Sequence, residues 1–306
     1  MKFRLVFLSP VLIFFLVSIF ICQGIYLPKD SSSVEKKLFS VEKGESLFKI
    51  ADNLEKEDLI KNKSFFDFYI FIKGAQRKLQ AGEYYLSPSE NVPTIAKKII
   101  SGEVAKIVVT IPEGWTQKQI EERLGLKLPG ENLEGFLFPD TYQFPAKISG
   151  EEVVKKMREN FDKKLTPELK EEIKRQGKTI FEIITAASLI EKEVKTKEDK
   201  ETVSGILWKR LKNNIPLQVD ATISYITGKK TTEISIGETK IDSLYNTYRY
   251  KGLPLGPICN PGLDSIKTAI YPKNSEYWYY LSTPEGETIF SKNLEEHNIA
   301  KAKYLR

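Results

Sequence analysis

Two apolar runs dominate the pattern of hydrophobic and polar positions along the 306 residues of this chain. The first covers residues 5–22, is broken only by two serines and a proline, and follows the cations Lys2 and Arg4. The second covers residues 183–190, where apolar residues occupy more than one helical face. Because a surface helix keeps a polar face, the second run predicts a helix enclosed by protein.

The second apolar run ends at two acidic residues, Glu191 and Glu193, and therefore marks a candidate site for chemistry. A carboxylate held against apolar neighbours is destabilised as the anion, so its pKa rises and it can act as a general acid near neutral pH. The alternative is that the helix ends here and both side chains point into water. Residues two apart on a helix differ by about 200° in direction, so we expect only one glutamate to line a cleft.

The run at residues 5–22 nearly crosses a hydrocarbon core of about 30 Å, at about 1.5 Å per helical residue. A cleaved signal peptide is the alternative, but the run exceeds the usual apolar region of a signal and no A-x-A-like site follows it. We therefore predict an uncleaved, single-pass anchor in the inner (cytoplasmic) membrane. Lys2 and Arg4 orient its N-terminal tail toward the cytoplasm and all residues after Tyr26 toward the periplasmic or outer side.

A short internal repeat follows, in which residues 41–54 recur 70 positions later as residues 111–124. Each copy predicts a strand, a glycine turn and a helix, with Ser46 and Thr116 as helix caps. Thr116 and Gln119 also have the capping-box spacing, in which two unpaired backbone amides gain partners. Chance similarity between two strand-to-helix turns is the alternative.

The first repeat copy resembles a LysM module. The signature positions that match are Val41, Gly44, Ser46, Leu47, Ile50 and Ala51. Modules of this kind bind the N-acetylglucosamine backbone of peptidoglycan or chitin. Residues 65–85 depart from a compact LysM, so the resemblance predicts a small α/β module and leaves its sugar binding open.

The amino-acid composition limits the classes of partner and the kinds of chemistry that we expect. The net charge of +6 is spread as interleaved lysines and glutamates, which is typical of solvated helix faces, so we expect no nucleic-acid partner. A mild basic excess suits anionic lipids or an anionic cell-wall polymer. His297 is the only histidine and Cys259 the only cysteine after residue 22, so we expect no metal site, no intramolecular disulfide and no cofactor.

From residue 134 onward, six segments resemble the YceG-like (MltG) endolytic murein transglycosylases in order and approximate spacing. They are EGFLFPDTY at 134–142, ASLIEKE at 187–193, LQVDAT at 217–222, YNTY at 245–248, GLPLGPICNPG at 252–262 and HN at 297–298. The resemblance extends to the membrane anchor and the LysM-like module. It implies cleavage of the β-1,4 bond between N-acetylmuramic acid and N-acetylglucosamine in nascent glycan strands, which leaves 1,6-anhydromuramoyl ends and terminates strand elongation.

The same resemblance assigns catalysis to Glu191. One carboxyl group suffices for an anhydro end, because the muramic acid's own 6-hydroxyl attacks C1 and the glutamate that protonated the leaving oxygen can then take the hydroxyl proton. The residues predicted to contact the sugars or support the site are Glu193, Gln218, Asp220, Tyr245, Asn246 and Asn260. Each has a structural alternative, such as a helix cap at Asp220 or a turn at Asn260, and His297 is predicted to be a cap or network residue.

Together these patterns predict an α+β protein with an N-terminal transmembrane helix, a LysM-like α/β module and a mixed α+β catalytic domain around the glutamate-bearing helix. Residues 1–30 form the cytoplasmic tail, anchor and start of a linker, residues 31–110 the LysM-like module, and residues 111–306 the catalytic domain. The expected partners are peptidoglycan strands, the membrane and glycan synthases of the cell-wall machinery. The rival hypotheses are a non-catalytic peptidoglycan-binding scaffold of the synthesis or division machinery, and an ordinary hydrolase, which would leave reducing ends.

Overall fold

The computed structural model describes residues 3–304, with side chains described from residue 11 onward. The predicted mixed α+β class is confirmed, and the described residues form two compact units. The first unit ends at Val109 and includes residues 143–148, whereas the second comprises residues 110–142 and resumes at Ser149. The sequence pattern does not predict that residues 143–148 belong to the first unit. The roles assigned to the two domains stay predictions.

The first unit packs its helices against an antiparallel pair of strands. Its elements are α1 (Phe3–Tyr26), β1 (Lys37–Val41), α2 (Leu47–Lys56), α3 (Lys63–Ile72), β2 (Gly82–Leu86) and α4 (Val92–Ser101). In the strand pair, Lys37 lies opposite Leu86 and Phe39 opposite Tyr84. Phe39 and Tyr84 are fully buried and form one core with the apolar faces of α2, α3 and α4. Because successive side chains of a strand point to opposite faces of the sheet, this core lies on one face of the strand pair.

Helix α1 contains the apolar run at residues 5–22, and its C-terminal part joins the core of the first unit. Ile25 is buried there, and the rings of Phe20 and Phe65 lie 5.5 Å apart. Among the residues that the structure describes, no helix has both the length and the apolar content required to span a membrane. The anchor and its orientation stay predictions, and Lys2, which contributes to that orientation, lies outside the described residues.

Both repeat copies form the predicted strand, glycine turn and helix. In the second copy the strand and the helix are β3 (Lys106–Thr110) and α5 (Gln117–Leu124). Gly44 and Gly114 adopt φ angles of +84° and +76°, which glycine tolerates without a Cβ clash. The predicted capping box is confirmed, because the Gln119 amide donates to Thr116 Oγ1 and the Thr116 amide donates to Gln119 Oε1.

β3 pairs with β4 (Thr141–Pro145), and most residues of both strands belong to the first unit. The later elements belong to the second unit. They are α6 (Gly150–Lys164), α7 (Pro167–Arg175), α8 (Ile180–Glu193), α9 (Lys197–Lys212), α10 (Asp220–Thr227), two short 3₁₀ helices (Thr231–Glu233 and Glu238–Lys240), α11 (Leu263–Ile270), β5 (Tyr279–Ser282), β6 (Thr288–Ser291) and α12 (Leu294–Tyr304). β5 and β6 are antiparallel, with Tyr279 opposite Ser291.

Helix α8 lies in the core of the second unit. Thr179 begins it with a capping box to Glu182, and every residue from Ile183 to Ile190 is buried. Helices α7, α9, α10 and α11 all pack against it. Because burying one large aliphatic side chain contributes roughly 1.5–3 kcal/mol, this run fixes α8 within the unit. The enclosed helix predicted from the apolar pattern is confirmed.

Candidate active site

Glu191 lies in the last turn of α8 and faces the first turn of α11. Its Oε2 accepts hydrogen bonds from the Gly262 amide at 3.1 Å and the Ser265 hydroxyl at 2.6 Å. The Lys200 ammonium on α9 lies 3.3 Å from both carboxylate oxygens, and the Lys200 side chain is only 7% exposed. Gly262 begins α11 without a capping side chain, so Glu191 supplies the acceptor and the negative charge that a helix N-terminus favours.

The surroundings of Glu191 differ from the apolar wall predicted above. Apolar residues cover the preceding turns of α8, but the carboxylate oxygens contact an ammonium, a hydroxyl and a backbone amide. These donors come from positions 9, 71 and 74 residues along the chain, so only tertiary packing brings them to α8. The apolar-wall prediction is wrong for this carboxylate, whose immediate surroundings are polar.

Glu113 lies on the other side of Gly262, in the turn between β3 and α5. A Cβ atom added to Gly262 would lie 2.0 Å from Glu113 Oε1, so this carboxyl group occupies the space that the glycine leaves open. Partial burial, followed by the negative charge of Glu191, raises the pKa of Glu113. Two carboxyl groups therefore flank one glycine at the start of α11.

Glu134 is held between the N-terminus of α5 and Asn260. Its two oxygens lie 3.1 and 3.2 Å from the Gln117 amide, and Asn260 Nδ2 donates to it at 3.1 Å. Burial raises the pKa of Glu134 to about 7. Sequence reasoning missed Glu134 and Glu113 as members of the site, although the first opens the EGFLFPDTY segment and the second lies in the repeat.

The side chain of Asn260 has a structural role in its turn, which was the alternative to a sugar contact. Its Oδ1 accepts from the Leu137 amide at 2.8 Å, and its Nδ2 donates to the Trp115 carbonyl at 2.9 Å as well as to Glu134. The backbones of Trp115 and Asn260 form an isolated bridge, and the Gly114 amide donates to the Asn260 carbonyl at 2.9 Å. These bonds fix the Glu113 turn beside the start of α11, and a sugar contact by Asn260 stays a prediction.

Glu193 points away from the partners of Glu191. Its carboxyl group interacts with the Tyr280 hydroxyl and the Ala221 amide, and burial raises the pKa of Glu193 to about 7. Asp220 lies nearby and accepts a 2.5 Å hydrogen bond from the Tyr248 hydroxyl. The predicted divergence of the two glutamates is confirmed, and Glu193 and Asp220 belong to a separate cluster that includes two tyrosines.

The other predicted sugar contacts lie in the loops around α10. Gln218 is exposed and adopts a φ angle of +55°. Asn246 is fully buried, and its side-chain amide bonds the backbone of its own loop at 2.8 and 3.0 Å, which is a structural role. The ring of Tyr245 lies 5.0 Å from that of Tyr225, and both tyrosines interact electrostatically with Glu134. Tyr245 is therefore part of the Glu134 cluster.

A cavity of about 380 Å³ opens beside Glu113. It is lined by Thr110, Ile111, Pro112, Glu113, Phe138, Pro139, Asp140, Thr141, Lys164 and Leu263. Leu263 directly follows Gly262, so the cavity adjoins the turn that binds Glu191. A different cavity of about 370 Å³, with Phe181, Glu182 and Trp208 in its wall, is lined by none of Glu113, Glu134, Glu191 and Glu193.

His297 stacks on Tyr279, with ring centroids 5.1 Å apart, and burial lowers its pKa to about 4. Its Nδ1 is buried without a hydrogen-bond partner among the described residues. The predicted capping or network role is therefore replaced by ring stacking between α12 and β5.

Comparison with known proteins assigns the chain to a family. The sequence model of the YceG-like family matches residues 39–303. The chain is 32% identical to an endolytic murein transglycosylase of Bacillus subtilis strain 168, over 91% of this chain and 87% of that protein. It is 30% identical to one of Streptococcus pneumoniae strain D39, over 91% of this chain, and spans 60% of that protein's length. The crystal structure of a yceG-like protein of Listeria monocytogenes matches with a TM-score of 0.60 and 32% identity, covering 88% of this chain and 100% of that chain. With a family match over most of its length and a fold shared at this level of identity, the chain belongs to the YceG-like family.

Proposed function

We propose that this protein is an endolytic murein transglycosylase, which cuts the β-1,4 bond between N-acetylmuramic acid and N-acetylglucosamine within glycan strands and leaves 1,6-anhydro ends. The names of the relatives in two species support this activity. The observation that carries the proposal is Glu191, a mostly buried carboxyl group held by fixed donors next to a cavity.

In the proposed reaction, protonated Glu191 donates its proton to the glycosidic oxygen as the bond from C1 breaks. The muramic acid 6-hydroxyl attacks C1, and the Glu191 carboxylate then accepts the proton of that hydroxyl, so no water is consumed. The donors on Lys200, Gly262 and Ser265 stabilise the carboxylate that exists between these two transfers, and their fixed positions keep it aimed at the substrate.

A non-catalytic scaffold accounts less well for this arrangement. Burying the Lys200 ammonium beside Glu191 has a desolvation cost of several kcal/mol per ion, by order of magnitude, and a glycan-binding surface does not require it. An ordinary hydrolase would instead need a carboxylate that activates water. A transglycosylase leaves 1,6-anhydro ends and a hydrolase leaves reducing ends, so the ends of the product strands distinguish the two reactions.

The N-terminal part is proposed to hold the enzyme at its substrate. The order β1, α2, α3, β2 and the signature at residues 41–51 support a LysM-like module that binds the N-acetylglucosamine backbone. The apolar run at residues 5–22 supports a single-pass attachment to the cytoplasmic membrane, with the rest of the chain on the periplasmic or outer side near glycan synthases. The full-length protein should sediment with membranes, and a soluble form beginning near Gly24 would contradict this attachment.

The product ends test the proposed reaction. Purified full-length protein would be incubated with uncrosslinked glycan strands, and the fragments would be identified by mass spectrometry. Internal cleavage with 1,6-anhydro ends is expected. Fragments with reducing ends would identify a hydrolase, and strands that are bound but remain intact would identify a scaffold.

A further inference from the structure

Helix α3 of the first unit has an apolar face that the described residues leave uncovered. The side chains of Phe68, Phe71 and Ile72 are 43%, 70% and 63% exposed. They occupy all the exposed positions of the last two turns of α3, whereas the exposed positions of α4 are all polar. Because a contiguous exposed apolar patch marks a contact surface, this face of α3 requires a partner.

The exposed face of α3 begins where α3 contacts α1. The Phe65 ring lies 5.5 Å from that of Phe20, and it fills the space beside Gly24, where an added Cβ atom would lie 2.3 Å from the ring. Phe65, Phe68 and Ile72 are spaced three and four residues apart, so they occupy one stripe of the helix. The apolar surface of α1 therefore continues onto α3.

The Phe65 contact also fixes the position of α3 along the apolar run of α1. Phe20 lies two residues before the end of that run at Cys22, and Gly24 lies two residues after it. At about 1.5 Å per residue, Phe65 therefore contacts α1 within about 3 Å of that end on either side. Every large apolar side chain of residues 11–20 is exposed. With this run in a bilayer, α3 lies at the edge of the hydrocarbon core.

Positive charges border the apolar face of α3 along the chain. Lys61 precedes the helix, and Lys73, Arg77 and Lys78 follow it, all of them exposed. A helix that lies in the membrane interface combines an apolar face with cations that reach anionic lipid headgroups. The charges beside the face thus favour a lipid surface as its partner.

We propose that α3 is an interfacial helix that lies on the outer surface of the cytoplasmic membrane, with Phe68, Phe71 and Ile72 among the lipid chains just below the headgroups. This inference rests on the membrane attachment proposed above. It adds a second contact beside α1, because the Phe65 contact joins the two helices closely. The two contacts together hold the LysM-like module in one orientation at the membrane, beside the newest glycan.

Quenching of a fluorescent label by lipids with brominated acyl chains tests this contact. In the full-length protein, Cys22→Ser removes the exposed cysteine, and Cys259 is fully buried, so a thiol-reactive label attaches only to an introduced cysteine. Phe71→Cys and, in a second protein, Phe68→Cys would carry the label in vesicles of phosphatidylethanolamine and phosphatidylglycerol. We expect brominated lipids to lower the emission roughly twofold, because an interfacial helix buries its apolar face about 5–10 Å deep.

Phe48→Cys is the matched control. Phe48 belongs to the same unit and is 72% exposed, but it lies at the start of α2. It is about 15 Å along that helix from Asp58, which pairs with Lys29 just after α1. Its label should keep its emission in brominated vesicles. A label introduced by Phe15→Cys, within the apolar run of α1, reports the membrane attachment itself and should be quenched.

The labels separate failure of this inference from failure of the attachment. Quenching at position 15 without quenching at positions 68 and 71 would overturn the inference, keep the attachment and leave a protein as the partner of α3. Equal quenching at positions 48 and 71 would also overturn it. An unquenched label at position 15 would contradict the attachment and the inference together. If one α3 variant fails to fold, the other decides. The proposed reaction is tested separately, by the ends of the product strands.

Discussion

The Ser265 hydroxyl donates a 2.6 Å hydrogen bond to Oε2 of Glu191 and ties the last turn of α8 to the first turn of α11. The Gly262 amide reaches the same oxygen. Among the hydrogen bonds of the described residues, Oε1 receives only the Lys200 ammonium. Oε1 is therefore the oxygen that we expect to exchange a proton with the glycan.

Ser265→Ala should lower turnover roughly 10-fold to 100-fold, because Glu191 loses the shortest of the bonds that fix its carboxylate. It should also lower the free energy of unfolding by about 1 kcal/mol. Ser204→Ala is the control, since Ser204 is equally buried and its hydroxyl bonds only the Thr268 carbonyl of α11. The control should lose similar stability and keep its turnover, measured as anhydro ends released. Equal turnover in both variants would show that the Ser265 bond does not serve catalysis.

Glu193 should make the protein less stable as the pH rises. Its pKa is about 7 in the folded protein against 4.5 for the ordinary group, so between these pH values the native state holds a proton that the unfolded state has released. This contribution is fully present below about pH 4.5 and is lost as the pH rises through 7, by up to about 3 kcal/mol. Glu193→Gln should remove this slope in urea unfolding measured from pH 4.5 to 8. Because both proteins retain Glu134 and His297, the difference between the two curves isolates Glu193, and parallel curves would contradict its raised pKa.

His297→Ala should retain most of its activity, because in the proposed reaction Glu191 makes both proton transfers and the imidazole stacks on Tyr279. We expect a loss of stability of about 1 kcal/mol from the missing ring contact. The folded pKa of about 4 lies below the ordinary 6.5, so the neutral ring contributes stability at neutral pH that is lost as the pH falls from 6.5 through 4. Complete inactivity of a folded His297→Ala protein would show that the reaction requires the imidazole.

Local sequence patterns predicted the parts of this structure that depend on neighbouring residues. The apolar run at residues 183–190 predicted the enclosed helix because its apolar side chains occupy more than one helical face, and the spacing of Thr116 and Gln119 predicted the capping box. The angle of about 200° between positions two apart on a helix predicted that Glu191 and Glu193 would diverge.

The surroundings of the site could not be predicted in the same way. Lys200, Gly262 and Ser265 reach Glu191 from other helices, and no local pattern states which helices will pack together. For this reason the apolar run preceding Glu191 suggested an apolar wall that the carboxylate oxygens do not meet. Glu113 was missed because its relation to Glu191 depends on the space left by one glycine.

The central claim is that Glu191 transfers the protons in glycan cleavage, and the two glutamates of α8 provide a direct comparison. Glu191→Gln should keep its fold and its binding to glycan, because the amide is nearly the same size, but should release anhydro ends more slowly by a factor on the order of 10² to 10⁴, because an amide cannot protonate the glycosidic oxygen. Glu193→Gln should have a much milder effect. The deciding measurement is the rate of anhydro-end release by both folded variants against wild type: a collapse confined to Glu191→Gln is the predicted result, and undiminished release by Glu191→Gln, or a collapse confined to Glu193→Gln, would contradict the claim.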